Sequence, residues 1–192
     1  MVSKSVILRD FKKNDAEALS DFFLTLGPRT LFFWNRFGTR FDPAHARKVA
    51  HAQAAIPVKQ EKGFVACAGN KIVGYCYLRF FPDKPQKRGT ASLGMVVSDR
   101  HQNRGIGRRM MKIMIDYCRR KKMQKIWLAT YTDNERTRPF YESFGFIPEG
   151  VFLFDEFFKA RPRHVLSMAR FLGPSVQKKA SRLVRRYLLG AK

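Results

Sequence analysis

The chain has 192 residues, 45% of them hydrophobic, so it is long enough to bury a core and too apolar for a disordered polymer. Its formal net charge of +23 and sequence pI of 10.6 point to an anionic partner, whether polyphosphate, nucleic acid or membrane surface, and say nothing about fold. Three cysteines, Cys67, Cys76 and Cys118, none at metal-ligand spacing, argue against a disulfide framework and for a reducing cytoplasmic setting; Met1–Lys4 carries no apolar signal segment, and no stretch approaches the roughly 18 apolar residues of a membrane span.

In chain order, Ser5–Phe11 reads as a first strand. Asn14 or Asp15 can cap a helix whose apolar residues Ala18, Leu19, Phe22, Phe23 and Leu26 recur at helical spacing, and Gly27-Pro28 stops it. Thr30–Phe41 is crowded with Phe32, Phe33, Trp34, Phe37 and Phe41, interleaved with Arg36 and Arg40 and preceded by Arg29. Asp42-Pro43 has the form of an N-cap with proline at the first helical position, and that helix is expected to reach Ala55. Phe64–Ala68 and Lys71–Phe81 are strands joined by a Gly69-Asn70 turn. A polar loop, Pro82–Arg88, precedes the strand Thr90–Val97. Met110, Met111, Met114, Ile115 and Cys118 then form one face of an amphipathic helix, with Arg108, Arg109, Lys112, Asp116 and Arg119 on the other. Lys125–Tyr131 is a strand. Asn134 or Asp133 caps a helix carrying Phe140, Tyr141 and Phe144, ended by Gly145. Phe146-Ile147 begins another strand, Glu149–Arg163 reads as a long loop, and His164–Leu172 is the last strand before Gly173-Pro174.

Between strand and amphipathic helix lies Ser98–Met111, "SDRHQNRGIGRRMM". Strand, glycine loop and helix in that order suit a phosphate: helix N-terminal N–H groups lack partners, the helix dipole is positive there, and glycine lets an anion approach the backbone. Gln102, Arg104 and Arg108 add donors and charge. The dinucleotide fingerprint needs glycine at position 110, where Met110 stands, and the P-loop fails because Arg108-Arg109 follow Gly107. What remains is Gln102-x-x-Gly105-x-Gly107, which resembles the R/Q-x-x-G-x-G/A motif of the GCN5-related N-acetyltransferase (GNAT) superfamily. Asn134 followed by Tyr141-Glu142-x-x-Gly145-Phe146 is similar to that family's second signature, and the element order agrees from Ser5 to Leu172.

The resemblance implies an α/β GNAT acyl-CoA N-acyltransferase fold, a mixed and mostly antiparallel central sheet with flanking helices. Residues 5–172 would form the N-acetyltransferase domain and 173–192 a basic amphipathic tail. It implies acetyl-CoA as acetyl donor, with no metal, held between two splayed strands. Met95, Val96 and Val97 would offer backbone to the thioester and pantetheine arm. Gln102, Asn103, Arg104, Gly105, Ile106, Gly107 and Arg108 would seat the pyrophosphate, and Asn134 would bond the pantetheine arm unless it is simply an N-cap. Tyr141 occupies the family's general-acid position; the alternative is a core tyrosine beside Phe140 and Phe144.

Ribosomal-protein alanine acetyltransferases of the superfamily carry a glutamate where this chain has Ala129, so a strand carboxylate base is missing. Ordered water, a loop group such as Asp155 or Glu156, or an acceptor amine of low pKa could take the proton. Arg29, Arg36 or Arg40 could clamp an anionic group of the acceptor, and Phe152, Phe154, Phe157 and Phe158 offer a second wall. The histidines His45, His51, His101 and His164 lack ligand spacing. After Pro174 come Lys178, Lys179, Arg182, Arg185, Arg186 and Lys192 with no acidic residue, while Leu183, Val184, Tyr187 and Leu188 share a face. This tail suits RNA or an anionic membrane, or docks on the domain or on a second subunit as a homodimer. The function expected is transfer of acetyl to a primary amine of unknown identity. The alternative is an acetyltransferase-like module that binds RNA or membrane and senses acyl-CoA without catalysis.

Overall fold

In a computed structural model that describes residues 5–34, 42–158 and 161–188, helices and strands alternate largely as their sequence patterns dictate. Seven strands, β1 (Val6–Asp10), β2 (Glu61–Ala68), β3 (Lys71–Phe80), β4 (Thr90–Val97), β5 (Lys125–Tyr131), β6 (Ile147–Phe158) and β7 (Arg161–Phe171), hydrogen-bond in the order β1-β2-β3-β4-β5-β7-β6. β4 and β5 run parallel, and β1/β2, β2/β3, β5/β7 and β6/β7 run antiparallel. The sheet is therefore mixed and mostly antiparallel, flanked by α1 (Ala16–Leu24), α2 (Pro28–Trp34), α3 (Pro43–Ala55), α4 (Ile106–Arg120), α5 (Thr137–Glu142) and α6 (Pro174–Leu188), as expected from the motifs.

The chain divides into two compact units, Met1–Pro85 with Leu93–Asp116, and Gln86–Ser92 with Tyr117–Lys192. In the first, Leu19, Phe22, Phe23 and Leu26 of the α1 region are 0–6% exposed and pack with Ala46, Ala50, Val65 and Tyr75. Each large side chain so buried contributes about 1.5–3 kcal/mol. Asp42 caps α3 by accepting the His45 N–H at 2.8 Å, with Pro43 in the first turn. Asp15 makes no side-chain cap; its carboxylate instead takes the Lys12 N–H and both Arg9 Nη groups, and a 3₁₀ turn, Lys13–Asp15, precedes α1. β2 begins three residues earlier than the sequence pattern implies. Its first residue, Glu61, is buried because Arg79, Gln53 and the Tyr75 hydroxyl all donate to its carboxylate.

In the second unit β7 lies between β5 and β6. The segment Glu149–Arg163, expected as a loop, is mostly a ribbon: β6 runs to Phe158 and β7 starts at Arg161. Its β-branched and aromatic residues, Val151, Phe152, Phe154 and Phe157, suit extended backbone better than a loop. The ribbon carries a large bulge. Phe152 faces Val165 and Glu156 faces Arg163, so Leu153, Phe154 and Asp155 oppose His164 alone. Phe154 takes φ 55° there, and its N–H donates to His164 Nδ1 at 3.1 Å. α6 is docked through Gln177, which accepts the Phe171 N–H at 2.7 Å and donates to the Gly145 carbonyl at 3.1 Å.

Candidate active site

The glycine loop belongs to the first unit. β4 ends at Val97, Ser98 is buried and donates its N–H to the Val73 carbonyl at 2.9 Å, and a 3₁₀ turn, Asp99–His101, leads into the loop. Two side chains brace it. Gln102 Nε2 donates to the Val97 carbonyl and to Thr30 Oγ1, both at 3.0 Å. The Asp99 carboxylate accepts the Gly27 N–H and the Thr30 hydroxyl, both at 2.8 Å. Both amide hydrogens of Gln102 are thus engaged within the protein, and its side chain acts as a brace rather than as an open donor. Backbone turns left-handed at Asn103 (φ 59°) and Gly105 (φ 76°). The amides of Asn103, Arg104, Gly105, Ile106 and Gly107 meet no acceptor among the described residues, and the Arg109 N–H bonds back to the Gly105 carbonyl at 3.1 Å. A Cβ on Gly105 would meet nothing within 4 Å, so the loop is open over that residue. Arg104 and Arg108 are exposed beside it. His101, partly buried and near Arg104 and Arg100, is held below its ordinary pKa by burial first and by those cations second.

Behind the loop, Met110, Met111, Met114, Ile115 and Cys118 are all 0–4% exposed and anchor α4. On β4, Val96 is buried and Met95 and Val97 are half-buried. The parallel ladder joins Thr90–Ser92 to Lys125–Trp127, and Met95, Val96 and Val97 lie beyond its last pair.

The remaining predicted site residues belong to the second unit. Tyr141 is buried in α5, with ring centroids of Phe140 and Phe146 at 5.4 and 5.8 Å. Its carbonyl accepts the N–H groups of Phe144 and Phe146 where the helix ends. Asn134 is not the N-cap: α5 begins at Thr137, with Arg136 at the cap position and no side-chain cap bond. Instead the Asn134 N–H bonds the Tyr131 carbonyl, and its own carbonyl accepts the N–H and hydroxyl of Thr137. Its side chain meets no partner among the described residues. Asp133 does not cap the helix either, since its carboxylate accepts from Arg163 at 3.3 Å. The Arg163 guanidinium lies 3.1 Å from the Tyr131 ring centroid, and the Tyr131 hydroxyl donates to Glu156.

The same unit holds a cleft of about 670 Å³; the sequence reading offers Phe152 and Asp155 for it but not Trp127, Lys87 or Lys125. Trp127, Ala129, Val165 and Ser167 form its floor, Phe152 and Asp155 of the bulged ribbon line it, and Lys87 lies 6.0 Å over the Trp127 ring. An ion pair between Lys125 and Glu149, 2.6 Å long, closes one side. The signal was present in the alternation of β5: Ile126 and Leu128 are buried, whereas Lys125, Trp127 and Ala129 take the opposite face.

Burial raises the thiol pKa of Cys67 and Cys76 and pushes Cys118 up to about 12, so none is a ready thiolate. Among the described residues no group of three or more His, Cys, Asp or Glu side chains could hold a metal ion, and no helix is long and apolar enough to cross a membrane. Of the aromatic segment, Phe32 and Phe33 meet edge to face at 5.1 Å and Trp34 packs on Phe23 at 5.3 Å, whereas Arg36, Phe37, Arg40 and Phe41 lie outside the described residues. Arg29 is exposed.

A family model for the acetyltransferase (GNAT) family matches residues 30–146. The chain is 30% identical over 91 residues to the L-amino acid N-acetyltransferase AaaT of Escherichia coli K12, a match spanning 47% of this chain and 56% of that relative. Among solved structures, yncA from Salmonella typhimurium with acetyl-CoA superposes with a TM-score of 0.72 at 18% identity, covering 88% of this chain and 95% of that one. Spermidine N-acetyltransferase from Vibrio cholerae, in complex with CoA and spermine, gives 0.69 at 19% identity, covering 87% and 95%. Likenesses at that identity establish the fold, and the family match covers more than half of the sequence. On these grounds the chain belongs to the acetyltransferase (GNAT) family.

Proposed function

We propose that the protein is an acetyl-CoA-dependent N-acetyltransferase that moves the acetyl group directly to a primary amine of a small molecule or polypeptide. The observation that carries this is the run of unpartnered amides from Asn103 to Gly107 at the start of α4, open over Gly105 and flanked by Arg104 and Arg108. Such a row of donors at a helix N-terminus suits a pyrophosphate. In this reading the backbone of Met95, Val96 and Val97 carries the pantetheine arm as an added strand. Asn134, whose amide is uncommitted, bonds the same arm.

The deprotonated amine attacks the thioester carbonyl carbon, forming the N–C bond. The tetrahedral intermediate collapses and the C–S bond breaks; the sulfur takes a proton from the Tyr141 hydroxyl, and the nitrogen gives up its second proton, which restores the phenol. A phenol of ordinary pKa near 10 can supply a thiolate whose conjugate acid lies near 8.5 only while the two are in contact, which makes this a role for a positioned group. The net change converts an ammonium and acetyl-CoA into the amide, free CoA thiol and one proton. No carboxylate stands at Ala129 to remove the amine's first proton.

The relative named for L-amino acids and the neighbour named for spermidine set the range of acceptors to test first. The basic helix α6 suits an anionic partner such as RNA or a membrane surface, and the exposed apolar residues of the edge strand β6, Val151 to Phe154, suit a second copy of the chain. Nothing favours a non-catalytic module over the enzyme. The deciding experiment is calorimetry with acetyl-CoA followed by thiol release across a panel of amines. Binding together with amine-dependent thiol supports the proposal, and absence of both overturns it.

A further inference from the structure

We infer that the cleft on the Trp127–Ala129 face of β5 takes the acceptor, and that the acceptor is a single ammonium group on an apolar, preferably aromatic, body. The inference rests on the acetyltransferase reading. Its grounds lie within the second unit.

The cleft is built by the ribbon's irregularity. A regular ladder would alternate β6 side chains between the two faces of the sheet. The three-residue bulge opposite His164 breaks that alternation and brings Asp155 onto the same cleft as Phe152. The Asp155 carboxylate meets no donor among the described residues, whereas the other carboxylate of the cleft, Glu149, is already paired with Lys125. One carboxylate is therefore left for an incoming cation. Trp127 and Phe152 line the same cleft, together with the small or apolar Ala129 and Val165. Ala129 puts only a methyl group on this face of β5, and Asp155 is the carboxylate left for an ammonium.

Charge balance limits the ligand further. Lys87 and Lys125 offset Glu149 and Asp155, so the cleft carries no formal surplus of negative charge. A polyamine, whose several cations need several free carboxylates, gains little there. A monoamine can place its one charge on Asp155 and its apolar part on the rings.

The test uses the full chain with 2-phenylethylamine and spermidine as probes. Trp34→Phe leaves Trp127 as the reporting fluorophore, since the sequence has two tryptophans. 2-Phenylethylamine should change that emission saturably and support thiol release at lower concentration than spermidine. Asp155→Asn should raise the KM for 2-phenylethylamine about tenfold or more, the loss of one charge-assisted contact, with acetyl-CoA affinity unchanged within twofold. Asp155→Glu should recover most of the loss. An unchanged KM in Asp155→Asn, or a preference for spermidine, overturns the inference. If the wild type fails to bind acetyl-CoA, the acetyltransferase reading fails on its own. The cleft is then judged by fluorescence alone: saturable quenching lost in Asp155→Asn upholds amine binding, and no quenching ends it.

Discussion

Replacing Gly105 by alanine separates two quantities that most loop mutations mix. The residue sits at φ 76°, where an L side chain is strained by about 1–2 kcal/mol. Part of that is offset, by about 0.5 kcal/mol, because alanine restricts the unfolded chain. No steric cost is added, since the new methyl would meet nothing within 4 Å. The net loss is about 1 kcal/mol, which for a chain of this size lowers Tm by about 2–4 °C. Ligand affinity should suffer far more. The methyl would occupy the open space above the amides of Gly105, Ile106 and Gly107, where the pyrophosphate is proposed to rest. Loss of one charge-assisted hydrogen bond, about 1.5–3 kcal/mol, weakens acetyl-CoA binding by roughly 10- to 100-fold. Scanning fluorimetry gives the first number and titration calorimetry the second. Gly94→Ala serves as the contrasting case, because its Cβ would run into the Tyr77 ring and cost more stability. A Gly105→Ala protein with the expected drop in Tm but acetyl-CoA affinity within twofold of wild type would refute the pyrophosphate seat.

Tyr141→Phe should lower kcat at least tenfold while leaving acetyl-CoA affinity within twofold; equal losses in both would assign the residue to packing alone. Asp15 is held below its ordinary pKa chiefly by its hydrogen bonds from Arg9, and burial opposes that. Its contribution to stability, about 1 kcal/mol for such a partly buried pair, is present above the ordinary carboxylate pKa and is lost as pH falls through the lowered folded value. Asp15→Asn should therefore melt below wild type at pH 7, with the gap closing under acid conditions; a gap constant from pH 7 to pH 2 would contradict this. Cys67, Cys76 and Cys118 are buried and should resist a thiol-specific disulfide reagent in the native protein yet react fully in guanidinium; prompt native labelling would show that the core opens readily.

Much of the first unit was legible because its signals are local. The Asp42-Pro43 start of α3 and the apolar face Met110–Cys118 of α4 are short-range patterns, and the structure follows them. The glycine loop could be recognised from its own residues. What braces it could not, since Asp99 bonds Gly27 and Thr30 across about seventy positions of sequence. β6 was misread for a related reason. A run of exposed aromatics gives no inside-outside alternation, and only pairing with β7 makes it a strand. The bulge, and with it the placement of Asp155, depends on register between two strands and leaves no mark in either one alone. The Asn134 cap failed because the backbone of that residue closes two successive turns before α5 begins.

Thr30 accepts from Gln102 and donates to Asp99, and Asp99 in turn holds the amide of Gly27. The corner between α1 and α2 is therefore knotted to the segment that precedes α4, and neither can loosen alone. A diphosphate that quiets residues 103–107 would also slow deuterium uptake at Gly27, an amide that touches no ligand. That proton is a built-in gauge of donor occupancy, readable without any turnover.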